Sequence, residues 1–247
     1  MVIGYKAQND LYAILLMWAP AFAAFITKLI FDKNLKDLGW KIGKIRYIVI
    51  SYFLPLMACL FVYSIVWLIG VGGVDVSELQ NGGILSFISN FAIGVLVSGL
   101  LATGEEIGWR GFLVPELLKE FSYAKTSVLM GIIWNFYHYP LLLFSDYNNG
   151  TSNLLSFVFF TITVISICFI TTWTRQKSGS LWTGVMFHTS HNLFVQGIFD
   201  QITVDYGKTK LITTEFGLGL AVVYTLLAFY FIKQRNKLNT IQTAEIA

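Results

Sequence analysis

Apolar residues in this chain fall into seven long runs separated by short polar segments, with no period-2 alternation that would argue for strands. The runs cover approximately 11–31, 47–69, 84–101, 127–144, 154–173, 181–199 and 216–232. A helix needs about 20 residues to cross the hydrocarbon core of a bilayer. The pattern therefore predicts an all-α fold, a polytopic membrane helix bundle of about seven transmembrane helices. It divides into two N-terminal helices over 1–80, a core over 81–200, and a last helix with a cytoplasmic tail over 201–247. The first run contains Ala21-Phe22-Ala23, which mimics a signal-peptide cleavage site, but the run is too long and only Lys6 precedes it. A retained span is expected. The segment 113–121, with Glu116, Lys119 and Glu120, reads as an amphipathic helix on the cytoplasmic surface.

The connections orient the bundle. Lys33, Lys36, Lys41, Lys44 and Arg46 follow the first run, whereas the next connection holds Asp75 and Glu78 and no base. Arg110, Lys119 and Lys125 follow the third run, Arg175 and Lys177 the fifth, and Lys233, Arg235 and Lys237 the seventh, while 145–153 carries Asp146 alone. Only the sixth loop, with Asp200, Asp205, Lys208 and Lys210, is mixed. Basic loops face the cytoplasm, so an integral, multi-pass protein of the cell membrane with its N-terminus outside and its C-terminus cytoplasmic is expected.

Composition supports this reading. Of 247 residues 55% are hydrophobic and only 13% charged, about half the charge of an ordinary soluble domain. Mean hydropathy is +0.65. The net charge of +3 is small and no basic stripe is present, so nucleic acid is excluded as a partner. Cys59 and Cys168 each lie in an apolar run, which leaves neither a disulfide framework nor a cysteine-based metal site.

Candidate chemistry is confined to three places. Gly104-Glu105-Glu106-Ile107-Gly108-Trp109-Arg110-Gly111 follows the third run, and carboxylates at such a position are costly enough to suggest a functional site. On a helix Glu106 and Arg110 stand four apart in the favourable acid-before-base order, leaving Glu105 about 100° away and free to titrate. The other reading of the octet is a membrane helix ending in water. All three histidines fall inside predicted spans: His138 in the fourth, His188 and His191 in the sixth. His188 and Asn192 share a helix face, and His191 either joins that face or turns to a neighbouring helix. Pro140 removes the donor to the Phe136 carbonyl and loosens the helix beyond His138. Each histidine alone, and Asn192, can equally be interhelical packing glue. Trp109, Trp134 and Trp182 read as core or interface aromatics. One conflict stands at this stage: a third helix ending at Leu101 puts Glu105 at the membrane boundary, shallower than His138 and His188.

Glu105-Glu106-x-x-x-Arg110, Trp134-x-x-x-His138 and His188-x-x-x-Asn192, in this order on successive membrane segments, resemble the CPBP family. That family includes CAAX prenyl proteases of type 2, lysostaphin-resistance-A-like proteins and bacteriocin-processing or immunity (Abi) proteins. The resemblance covers about 96–199 and makes 81–200 a protease-like core, with an active site between the third, fourth and sixth helices. It implies that Glu105 and His138 activate water, that His188 and Asn192 stabilise the oxyanion, and that Glu106 with Arg110 supports the first motif. Trp134 stands where the family's second motif often has phenylalanine, a difference expected not to touch the chemistry.

The expected function is therefore an intramembrane endopeptidase acting on a membrane-associated protein or peptide within the lipid bilayer. The alternative is a non-catalytic bacteriocin-immunity or scaffold protein of the same family. A transporter with a Glu/His proton relay is the third reading, but inverted halves are not evident. No cofactor is expected. The alternative cofactor is zinc, with Glu105, His138 and His188 as ligands; the His-Glu-x-x-His helix of common zinc proteases is absent, and Asn192 beside His188 suits an oxyanion better than a metal.

Overall fold

The computed structural model describes residues 7–77, 83–144, 147, 151, 153–236 and 238. Lys6, the expected loop residues Glu78 and Asp146, and Lys237 of the tail lie outside the described residues. Seven long or medium helices form the bundle. They are α1 (Ala7–Phe31), α2 (Ile45–Leu68), α3 (Gly83–Glu106), α5 (Tyr123–Phe144), α6 (Asn153–Ser178), α7 (Trp182–Phe194) and α8 (Leu218–Lys233). Between α3 and α5 come a π-helical turn, Ile107–Leu113, and the short α4 (Val114–Glu120), which is the amphipathic surface helix expected over 113–121. Among the described residues five helices are long and apolar enough to span a membrane, and α8 is a shorter apolar helix. The sixth run is less regular than its composition suggests: α7 passes into a second π turn, Val195–Phe199, and a final helical turn, Asp200–Ile202.

Apolar side chains point outward all around the bundle. Leu68, Phe144, Ile84 and Leu96 are each more than 70% exposed, a pattern only a lipid environment makes favourable. Polar side chains go inward instead. On α7 the residues Thr183, His188, Thr189, Ser190 and His191 are all buried, because this helix is central, packed against α2, α3 and α6. Elsewhere α5 packs on α6, α6 on α8, and α1 on α3.

Two departures from the sequence expectation matter. The all-α bundle carries one antiparallel strand pair, β1 (Gly72–Val74) with β2 (Thr203–Asp205), which joins the connections at the predicted external end. And the third helix does not stop at Leu101: it continues through Glu106 into the π turn. A helix extended this way carries Glu105 inside the bundle rather than into water.

α1 completes the inner wall. Gly104 and Gly108 are four apart, and a Cβ at Gly108 would lie 2.4 Å from Pro20 Cβ, so only this small-residue face lets α1 lie against the octet. Pro20 cannot donate to the Leu16 carbonyl. The Tyr137 hydroxyl from α5 donates to that carbonyl instead, tying α1 to the helix that carries His138.

Candidate active site

Glu105, Glu106 and Arg110 are between 0 and 2% exposed, so a polar atom among them left without a partner is costly; among the described residues Glu106 Oε2 is such an atom. Glu106 Oε1 accepts from Arg110 at 2.8 Å and from His188 Nδ1 at 3.1 Å. The remaining Arg110 donors reach Thr171 Oγ1 at 2.8 and 3.2 Å, and the guanidinium lies 4.3 Å over the Trp134 ring. The i,i+4 pair read from the sequence is thus present, with two further elements closing around it. Gly184 on α7 is required for this: a Cβ there would sit 2.2 Å from Glu106 Oε2.

The π turn has its own consequence. Its wider hydrogen-bonding pattern, with Val114 N–H donating to the Trp109 carbonyl, frees the Arg110 carbonyl to accept from Arg175 Nε at 2.8 Å. Such turns inside α-helices recur at functional sites.

Glu105 is held differently. Its Oε2 accepts from the indole N–H of Trp109 at 3.0 Å and from that of Trp134 at 2.8 Å. Oε1 accepts no hydrogen bond from the described residues. The imidazoles of His138 and His188 lie within electrostatic reach of this carboxylate. Trp134 stands between them, its ring 6.0 Å from His138 and 5.4 Å from His188.

Both histidines present the same nitrogen. His138 Nδ1 is 3.0 Å from the Trp134 carbonyl, which can only accept, so Nδ1 carries the proton and Nε2 is the free atom. His188 Nδ1 donates to Glu106 in the same sense. Asn192 is half-buried one turn beyond His188, and its side chain has no protein partner among the described residues. His191 does not join this face. Its Nδ1 lies 2.9 Å from the Tyr224 hydroxyl of α8 and its Nε2 is 3.9 Å from Glu215.

The structure therefore brings Glu105, Glu106, Arg110, His138 and His188 together, with Asn192 on the His188 face. Two contributors escaped sequence reasoning: Trp109 and Trp134, read there as core or interface aromatics, donate directly to Glu105, so the tryptophan that stands where the resembled family often has phenylalanine reaches the carboxylate after all, contrary to the expectation stated above. Their signal was present, since Trp109 is four residues after Glu105 and a buried indole N–H needs an acceptor. Trp182 does keep a packing role, donating to the Trp40 carbonyl at 2.7 Å.

Histidines whose second nitrogen is fixed by a carbonyl or carboxylate are also common metal ligands. Among the described residues, however, no three His, Cys, Asp or Glu side chains converge as a ligand set, and one oxygen of Glu105 is occupied by two indoles. The described side chains as placed do not fit zinc.

An apolar groove of about 350 Å³ lies beside the site, lined by Ala19, Pro20 and Ala23 of α1 with Gly108, Trp109 and Tyr137. It reaches the same Trp109 that holds Glu105.

Comparison with known proteins gives a family match over this part of the chain. The family described as Type II CAAX prenyl endopeptidase Rce1-like matches residues 85–194. A curated relative, the CAAX prenyl protease 2 of Methanococcus maripaludis, is 31% identical over 142 residues, or 56% of this chain and 52% of the relative. The chain thus spans about half the length of the curated relative it matches. Every residue gathered at the site except the wall from α1 falls within the matched segment.

Proposed function

We propose that this chain, which over residues 85–194 matches the family described as Type II CAAX prenyl endopeptidase Rce1-like, is an intramembrane endopeptidase of the CPBP family that hydrolyses a peptide bond of a membrane-associated protein or peptide. The observation that carries the reading is the unequal treatment of the two adjacent acids. Glu106 is neutralised by Arg110, and its second oxygen, also without a hydrogen-bond partner among the described residues, is walled in against Gly184, whereas Glu105 is bonded only by two indoles through Oε2 and keeps Oε1 without a partner among the described residues, near two histidines.

In this reading water sits between Glu105 and His138. Glu105 Oε1 takes its proton while His138 Nε2 orients it, and the oxygen attacks the substrate carbonyl. The developing oxyanion is met by the Asn192 amide and by His188, which donates through Nε2 when its imidazole carries a second proton. Glu106, already bonded to His188 Nδ1, supports that cationic form. Collapse of the intermediate breaks the C–N bond, and the proton held by Glu105 passes to the leaving amine. No metal takes part. Activity retained after extended dialysis against a strong chelator is expected, and about one zinc per chain, removed by His138→Ala and needed for turnover, would refute this.

The groove beside Trp109 supports entry of an apolar substrate segment from the lipid side. The relative's name makes a prenylated peptide ending in a CAAX sequence the first probe. Purified protein in detergent is expected to cut an internally quenched farnesylated CAAX peptide, and Glu105→Ala to abolish cleavage. A parallel comparison of peptide fragments from cells carrying wild type or Glu105→Ala extends the test to substrates without a prenyl group. Identical fragment patterns, with no cleavage of the probe, would favour the non-catalytic immunity or scaffold reading.

The proposed topology places the loop between α1 and α2 and the C-terminus in the cytoplasm, from the Lys/Arg bias. Cysteine labelling that found positions 41 and 237 on opposite sides of the membrane would refute it.

A further inference from the structure

Trp134 is unusual in the number of site elements that meet on it. Its indole N–H bonds Glu105, its ring face lies under Arg110, its edges approach His138 and His188, and its main-chain carbonyl accepts from His138 Nδ1. We propose that Trp134 is a positioning residue for the water-activating pair: its side chain fixes which oxygen of Glu105 reacts, and its carbonyl fixes which nitrogen of His138 does. The proposal rests on the reading of Glu105 as the base.

The lone pairs of Glu105 Oε2 are filled. A carboxylate oxygen has about two acceptor sites, and the two indoles, 2.8 and 3.0 Å away, occupy both on Oε2. Without them the two oxygens of Glu105 would be interchangeable by a rotation of its last torsion. With them Oε2 is anchored from two separate elements, the π turn after α3 and α5, and Oε1 is the oxygen left for water. The four-residue spacing from Trp134 to His138 does the second half of the work. In a helix it places the His138 ring beside the Trp134 carbonyl, and the 3.0 Å contact commits the proton to Nδ1. One residue thereby sets which atom of each partner reacts, Oε1 of Glu105 and Nε2 of His138. A purely apolar ring at this position would keep the packing and the cation–π contact with Arg110, yet release Oε2.

Trp134→Phe isolates the side-chain half, because it retains a ring and the main-chain carbonyl. With the farnesylated CAAX peptide, kcat is expected to fall about tenfold or more while KM stays within about twofold, the pattern of a lost transition-state geometry rather than of lost binding. Trp109→Phe, which removes the other donor to the same oxygen, is expected to act in the same direction, and the double variant to fall further than either.

A second measurement needs no substrate and no core deletion. In protein carrying ¹⁵N-labelled indoles, the chain's seven tryptophans report individually on their N–H bonds. Glu105→Gln is expected to move the Trp134 and Trp109 indole signals and to leave that of Trp182, bonded to the Trp40 carbonyl, in place. Unmoved Trp134 and Trp109 signals, or a Trp134→Phe enzyme with wild-type kcat, overturns the proposal. If Glu105→Gln instead cleaves the peptide normally, it is the assignment of the base that fails, and the indole signals still decide whether Trp134 holds that carboxylate.

Discussion

His188 and His191 are three residues apart on one buried helix, yet they belong to two clusters built on opposite plans. The inner cluster contains a fixed cation, Arg110, fully buried and bonded to Glu106, and among the described residues it leaves Glu105 Oε1, Glu106 Oε2, two imidazole Nε2 atoms and the Asn192 amide without hydrogen-bond partners. The outer cluster ties its groups to one another. His191 meets Tyr224, Gln196 donates to Glu215 at 2.8 Å, Tyr63 donates to Asp200, and the Thr214 N–H donates to the Tyr63 hydroxyl at 3.0 Å. Polar residues inside a membrane bundle are expensive in either case. What separates chemistry from glue is whether the partner set leaves reactive atoms open.

The comparison breaks most sharply at Glu105 and His138. Glu105→Gln and His138→Ala are each expected to lower turnover of the farnesylated peptide by about a thousandfold in correctly inserted protein, the scale of a lost general base and its partner.

Next in size is the pair beneath them. Arg110→Met leaves Glu106 buried with its charge unpaired and is expected to cost about 3–5 kcal/mol of stability. The double variant Glu106→Gln with Arg110→Met is expected to recover part of that. Thermal unfolding in detergent checks both, and damage to activity without damage to folding would move this pair from support into the chemistry.

The outer cluster should answer differently. His191→Gln is expected to leave cleavage within about twofold of wild type while lowering stability by about 1 kcal/mol, the scale of one hydrogen bond. A large loss of kcat in a stable His191→Gln protein would erase the distinction between the two histidines.

The smallest effect concerns Asp200, just past the sixth span. Burial first, and Glu215 second, push its carboxyl up to about 7, against the Tyr63 hydroxyl and Lys210. An acid whose pKa is raised on folding takes up a proton in the folded state, so its cost is absent below about pH 4 and grows as pH rises toward 7. Asp200→Asn is therefore expected to raise the unfolding temperature by a few degrees at pH 8 and to change it little at pH 4. A pH-independent shift would show that Asp200 is ionised throughout.

Much of the site could be read from residue order and spacing. Acid-before-base spacing over four residues predicted the Glu106–Arg110 pair, and the shared face of His188 and Asn192 follows from helical geometry alone. The tryptophans could not be assigned this way, because an indole in an apolar run looks the same whether its N–H ends on a main-chain carbonyl, as in Trp182, or on a carboxylate, as in Trp134. The choice for His191 was equally undecidable: its rotation toward Tyr224 depends on α8, which joins the bundle through sequence more than 30 residues away.

Apolar run length and the near absence of charge made a membrane bundle unavoidable, since so much apolar surface has no favourable place in water. Local spacing determined which polar residues could share a face. The tertiary structure alone decided how deep those faces lie and what they meet. It extended α3 past Leu101 into a π turn, because Gly104 and Gly108 let α1 pack close enough to bury the octet. It placed Gly184 against Glu106, and it drew two indoles from separate elements onto one oxygen of Glu105. Those outcomes arise from contacts between helices distant in sequence, where a buried donor finds its acceptor in whichever neighbour the packing supplies.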